Sequence, residues 1–98
     1  MREAAVDAPS RFVLELTHIP SPEGASIHAI ISGPRVTTTL TRTLRSGHTD
    51  SRFTTEAAAW AAAVEWFDQH GHDGARLVAK GAPGWDTPGA GRPWRKHT

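Results

Sequence analysis

The 98-residue sequence contains no cysteine, so the chain can form no disulfide and offers no thiolate for catalysis or metal binding. No segment approaches the roughly 20 consecutive apolar residues that a membrane-spanning helix requires. The N-terminal segment 1–10 has neither the basic start nor the apolar run of a signal peptide. We therefore expect a cytoplasmic protein with no membrane partner.

The sequence also lacks a strong excess of charge. Segment 11–80 holds seven cations and seven carboxylates, while segments 1–10 and 81–98 carry net charges of −1 and +2. A nucleic-acid-binding domain normally shows a basic field over its folded surface. The folded part is thus expected to be neutral, with the small basic excess in the C-terminal tail.

Large apolar side chains are few, because much of the 38% hydrophobic content is alanine. This composition suffices for one thin layer of helix on sheet and leaves little volume for a deep substrate pocket. The sequence has no nucleophile-elbow or Gly-rich phosphate-binding motif. His70, His72 and Asp73 are neighbours along the chain, but a zinc site needs three or four ligands in fixed geometry. We predict no enzymatic activity, no cofactor and no metal site.

Period-two alternation of apolar and polar residues predicts three strands, over residues 11–19, 26–32 and 36–45. Turn-forming residues at 20–25 and 33–35 make the connections short, which favours an antiparallel meander. A fourth strand over 76–80 is left open. The sheet side chains predicted to face a helix are Phe12, Leu14, Leu16, Ile27, Ile31, Leu40 and Leu44.

Residues 54–70 form the predicted helix, which Thr54 can cap and which Gly71 can end in a left-handed conformation. The predicted fold is α+β: a three- or four-stranded antiparallel sheet (a meander) with this helix packed across one face, in the order β-β-β-α(-β). The predicted organisation is an N-terminal extension over 1–10, one small domain over 11–80, and a flexible Gly/Pro-rich basic tail over 81–98.

The helix contains two tryptophans on different faces. At 100° per residue, Trp60, Val64 and Phe67 fall within about 60° of one another, which predicts that they form the core-facing stripe. Trp66 lies roughly 120° from Trp60, at the margin of that stripe. It is either covered by a loop or the tail, or available as an aromatic anchor for a partner.

Three surfaces are candidates for partner binding: the Trp66 margin of the helix, the threonine face of strand 36–45, and the tail. The threonine face can be simply the wet side of the sheet, a docking platform, or a strand that pairs with the edge of another chain. We predict a small non-catalytic binding module, an adaptor or inhibitor acting through protein–protein contacts. The alternative is a nucleic-acid-binding module that uses the exposed sheet face and the basic tail, and homo-oligomer formation is left open. The candidate partner-binding residues are Trp66, His70, Thr39, Thr41, Thr43, Arg45, Trp94 and Arg95.

The order of three strands and one helix, together with F-T-T-E-A-x-x-W over Phe53 to Trp60, resembles the arm-type DNA-binding domains of tyrosine recombinases. The resemblance covers only this stretch and the strand order. The spacing from Phe53 to Glu56 is shorter than in that family, and the predicted sheet lacks the family's basic, aromatic character. The resemblance therefore assigns no role to any residue.

Overall fold

One helix and eight strands make up the described part of the chain, residues 10–22 and 24–96 of a computed structural model. The predicted N-terminal extension, apart from Ser10, lies outside these residues. In chain order the elements are β1 (Arg11–Ile19), β2 (Ser26–Gly33), β3 (Val36–Thr39), β4 (Arg42–Thr43), β5 (Thr49–Asp50), β6 (Arg52–Phe53), α1 (Glu56–His70), β7 (Arg76–Ala79) and β8 (Arg92–Pro93).

The first three strands form the predicted antiparallel meander. Leu14 of β1 pairs with Ile31 of β2, and Ile31 pairs in turn with Thr38 of β3. The side chains of these three residues therefore lie on the same face of the sheet, which is the face that the helix covers. The α+β class and the helix-on-sheet arrangement are confirmed.

The prediction of an antiparallel sheet is wrong for the fourth strand. Residues 76–79 do form a strand, β7, but it runs parallel to β1, with Phe12 opposite Leu77. The helix returns the chain to the end of the sheet where β1 starts, so the strand that follows must run in the same direction as β1. The sheet is therefore mixed, and it has six strands where three or four were predicted. The order is β3-β2-β1-β7-β8, with β8 added antiparallel beyond β7 and β6 also paired with β2.

The predicted strand over 36–45 is interrupted. It pairs with β2 as far as Leu40, whose backbone N–H donates to the Ala29 carbonyl at 2.8 Å. The chain then leaves the sheet as a separate β4–β5 hairpin and returns as β6, where Arg52 pairs with His28, the next position along β2. Strands β3 and β6 are thus two parts of one edge strand with a hairpin inserted between them.

The helix packs on a face rotated by about 60° from the predicted stripe. Ala59, Ala63 and Phe67 are its buried residues, whereas Trp60 is only half-buried. On a helical wheel Trp60 and Trp66 lie about 60° on either side of Ala63. The small residues at the centre let the helix approach the sheet, and the two tryptophans fill the space along its two flanks.

Both predicted helix caps need correction. The N-cap is Thr55 and not Thr54, because the Thr55 hydroxyl accepts the Ala58 backbone N–H at 3.1 Å. Gly71 ends the helix with φ −79°, so it is not left-handed. Its lack of a side chain has a different cause: a Cβ at this position would collide with the indole ring of Trp94.

The core lies between the helix and the sheet and contains most of the predicted residues. Leu44, however, is 36% exposed because it belongs to the inserted hairpin, and Leu16 is only partly buried. The buried apolar residues are Phe12, Leu14, Ile27, Ala29, Ile31, Leu40, Phe53, Ala59, Ala63, Phe67, Ala75, Leu77 and Val78.

The Gly/Pro-rich tail packs along the outer side of β7. Successive turns carry it from Lys80 to β8, and Gly91, with φ +97°, lies so close to β7 that a Cβ would collide with the Leu77 carbonyl oxygen. The Arg76 guanidinium donates to the Gly91 carbonyl at 3.0 Å. Trp60 and Trp85 line one groove between this segment and the helix. Residues 92–93 of the predicted extension thus form an edge strand of the sheet.

Candidate functional site

An open groove of about 250 Å³ runs between the C-terminal half of α1 and the β3 edge of the sheet. It brings together Trp66, Thr39 and Thr41, three of the eight predicted partner-binding residues. Its lining is Thr38, Thr39, Leu40, Thr41, Ala62, Glu65, Trp66 and Gln69. Of the helix residues in this lining, Glu65 and Gln69 are exposed and Ala62 is partly buried, and none of the three was among the predicted partner-binding residues. Their spacing with Trp66, at i, i+3, i+4 and i+7, is the signal that could have assigned them to one face.

Trp66 forms the aromatic wall of this groove and is held in place by two rings. Phe12 of the core meets it edge to face, with ring centroids 5.8 Å apart. The imidazole of His70 stacks on it, with centroids 4.1 Å apart and an interplanar angle of 13°. Nδ1 of His70 is 2.9 Å from the Trp66 carbonyl oxygen, so that nitrogen carries the proton and donates. His70 thus contributes by fixing the Trp66 ring.

Strand β3 forms the other wall and is an edge of the sheet. Leu40 donates to Ala29, and hydrogen-bonded and non-hydrogen-bonded pairs alternate along antiparallel strands. Thr38, opposite Ile31, therefore directs its backbone groups towards β2, whereas Thr37 and Thr39 direct theirs away from the sheet. Within residues 10–22 and 24–96 no strand pairs with this outer side of β3.

The remaining predicted residues of the threonine face do not line the groove. Thr37 has its side chain on the sheet face away from the helix, beside Ser32. The Thr39 side chain lies on that same face, beside Ile30, so Thr39 lines the groove as part of the strand edge. Thr43 belongs to β4 in the hairpin, and Arg45 lies in the turn that follows it. The expected row of threonines ending at Arg45 is therefore broken after Thr39.

The tail residues Trp94 and Arg95 lie at the C-terminal end of the helix, away from the groove lining. The indole Nε1 of Trp94 donates to the Asp68 carbonyl at 3.2 Å, and its ring rests on Gly71. Its backbone N–H donates to the Ala75 carbonyl at 3.0 Å. Trp94 is half-buried and fixed, while Arg95 is exposed.

A charged cluster holds the inserted hairpin against β6. Arg42 donates from Nε to the Arg52 carbonyl at 2.7 Å and from Nη2 to Asp50 at 3.4 Å. The Arg52 backbone N–H donates to Asp50 at 3.0 Å, and this bond, followed by the two guanidinium groups, holds the pKa of Asp50 below its ordinary value. The hydrogen bonds of this cluster are satisfied internally, so its role in the fold is to brace the hairpin.

The histidines near the helix end are separately engaged. His72 Nε2 lies 3.0 Å from the Ser10 hydroxyl, and His70 is stacked on Trp66. Among the residues that the structure describes, no three His, Cys, Asp or Glu side chains are grouped to hold a metal ion. Within the same ranges, the one helix is too short and too polar to cross a membrane.

Comparison with protein-family models, with curated proteins and with solved structures finds no match to this chain. The resemblance of residues 53–60 to arm-type DNA-binding domains is therefore not accompanied by a family match.

Proposed function

We propose that the chain is a small non-catalytic binding module that acts, as an adaptor or an inhibitor, through contacts with another protein. The observation that carries the proposal is the groove between α1 and β3, in which a half-buried tryptophan faces an open sheet edge. Tryptophan is enriched among the residues that dominate protein–protein binding energy. Trp66 is also held by Phe12 and His70, so little side-chain entropy is lost when a partner covers it.

The shape of the groove fits a macromolecular partner better than a small substrate. Its volume of about 250 Å³ falls below the roughly 300–1,000 Å³ of typical small-molecule sites, and one side is open. The lining mixes one large aromatic ring with hydroxyl and amide groups, the composition found where an anchor is surrounded by polar contacts. A protein segment can cover the ring and hydrogen bond to the rim together.

Site-specific cross-linking tests this proposal. A photo-reactive amino acid at Gln69, in the groove, is expected to capture a defined protein from host-cell extract. The variant Ala62→Arg fills the groove and should abolish the adduct, whereas Ala61→Arg, on the neighbouring exposed strip, should leave it unchanged. An adduct that persists in Ala62→Arg, or the lack of any specific adduct, would count against the proposal.

The alternative proposal is a nucleic-acid-binding module that uses the exposed sheet face and the C-terminal cations. The side chains of Arg92, Arg95 and Lys96 are exposed and could contact phosphate groups. The Trp94 ring packs on Gly71 and is therefore not free to stack on a base. Binding would then be electrostatic and would weaken steeply with salt. Neutralising the three cations should lower affinity for single-stranded and duplex DNA, and unchanged affinity would remove the tail from consideration.

A further inference from the structure

We infer that the partner engages this site as an extended strand that adds to the outer edge of β3 and directs a basic side chain at Glu65. The inference rests on the proposed function, and it specifies the form and charge of the bound segment. Strand addition is a common mode of peptide recognition, in which backbone hydrogen bonds supply affinity and alternate side chains supply specificity.

The backbone of β3 is arranged for this mode. Thr37 and Thr39 direct their N–H and C=O groups away from β2, and no strand of the described ranges pairs with them. Charged side chains, proline and bulges within the strand are among the features that protect natural edge strands, together with short strand length. The four residues of β3, Val36–Thr39, contain neither a charge nor a proline. The strand therefore retains its ability to pair.

The inserted hairpin leaves this edge free. Strands β4 and β5 pair with each other in a separate two-stranded sheet, so they do not continue along β3. The Arg42 and Asp50 side chains hold the hairpin together and to the Arg52 carbonyl. An added strand would thus meet β3 directly and would reach the groove at Thr41, where the chain turns away.

The charge of the groove indicates the charge of the bound segment. Glu65 is the one charged side chain among the described residues that line it, and it lies one helical position from Trp66. An aliphatic stem of lysine or arginine can cover the Trp66 ring while its charged head reaches the Glu65 carboxylate. The preferred segment is therefore extended and carries a cation that reaches Glu65.

A library of short random peptides displayed on phage provides the probe. Peptides are selected on the wild-type chain and compared with Thr39→Pro, which removes an outward-facing N–H and keeps the ladder to β2. The control Thr39→Val retains that N–H and the shape of the side chain. Selected peptides should contain a basic residue and should bind Thr39→Pro at least about tenfold more weakly than they bind Thr39→Val, which differs from it in keeping the backbone N–H.

A second measurement uses only the wild-type protein, in case Thr39→Pro is unstable. N-methylation of the selected peptide at alternate residues should abolish binding, because each second residue bonds to β3, and methylation of the intervening residues should be tolerated. Loss of binding at every position, or at none, would overturn strand addition.

The other outcomes separate this inference from the proposed function. Peptides that bind Thr39→Pro normally but fail on Ala62→Arg would overturn strand addition and leave the groove as a binding site. If no peptide is enriched on the wild type relative to Ala62→Arg, both strand addition and the groove as a binding site are overturned. A wild-type dimer that Thr39→Pro converts to monomer in sedimentation would show that the strand on β3 comes from a second copy, which contradicts the inferred basic segment.

Discussion

The position of the helix on the sheet predicts that Phe67 contributes more to stability than Trp60, although tryptophan is the larger residue. Phe67 is 0% exposed and meets the ring of Phe12 edge to face, with centroids 5.3 Å apart. Trp60 is half-buried on the flank that faces β7 and the tail. Replacing Phe67 by alanine therefore opens a cavity at the centre of the core. Replacing Trp60 by alanine removes a side chain that covers only the edge of the core.

The two effects differ enough to be measured. A buried phenylalanine replaced by alanine costs about 3–5 kcal/mol. Trp60→Ala should cost about 1–2 kcal/mol, because much of its surface is already in contact with water. A domain of this size is stable by about 5–15 kcal/mol, so Phe67→Ala is expected to retain little stability and Trp60→Ala most of it.

Urea unfolding followed by far-UV circular dichroism provides the assay, since that signal comes mainly from the backbone and can be compared between variants with and without Trp60. With a slope of about 2 kcal/mol per molar urea, the midpoint should fall by about 2 M for Phe67→Ala and by less than about 1 M for Trp60→Ala. If Phe67→Ala is already unfolded without urea, Phe67→Leu gives the measurable comparison. A Trp60→Ala midpoint as low as that of Phe67→Ala would refute the helix orientation described above.

Three further predictions concern the ends of the helix and the hairpin. Thr55→Ala should destabilise the protein by about 1 kcal/mol in thermal unfolding through loss of the N-cap bond, and Thr54→Ala should have little effect; the reverse ranking would restore the cap expected from sequence. Gly71→Ala should cost about 1–3 kcal/mol by displacing the Trp94 ring, and in a Trp94→Ala background the cost should largely disappear; additive effects in this double-mutant cycle would show that the two residues are not in contact. The pKa of Asp50 is lowered in the folded state, so its carboxylate stabilises the protein above its ordinary pKa of about 3.9, and this stability is lost as the pH falls through the lower folded value. The difference in unfolding free energy between the wild type and Asp50→Asn should therefore shrink at acid pH. A difference that does not change with pH would contradict the ion-pair assignment.

The strands that could be predicted from the sequence are those in which local pattern and burial agree. In β1 and β2 large or small apolar residues recur at every second position, and Leu14 and Ile31 are buried beneath the helix as expected. The parallel pairing of β7 could not be read from its own residues, because it depends on where the helix returns the chain. The helix rotation was missed because large residues were taken as the centre of the buried stripe. In the structure Ala59 and Ala63 occupy that position.

Only part of the candidate site was predicted, because its residues come from segments that are distant in the sequence. Trp66, Thr39 and Thr41 attracted notice as an isolated aromatic residue and a run of threonines. The local sequence does not indicate that these residues lie together. They do so only because β3 is the edge of the sheet that lies beside Trp66. Glu65 and Gln69 are exposed, and nothing in the local sequence marks them as part of a groove, because the groove forms only where the helix meets β3.

The groove exists because the edge strand does not continue beyond Leu40. The residues from 36 to 45 have a uniform preference for extended structure, so their own composition predicts one long strand. Two interactions accompany the break: Leu40 is buried in the core, and Arg42 donates to the Asp50 carboxylate and the Arg52 carbonyl. Pairing of β6 with β2 then occupies the positions that a longer β3 would have used. The same break therefore shortens the edge to four residues, keeps the hairpin off it, and opens the space beside Trp66.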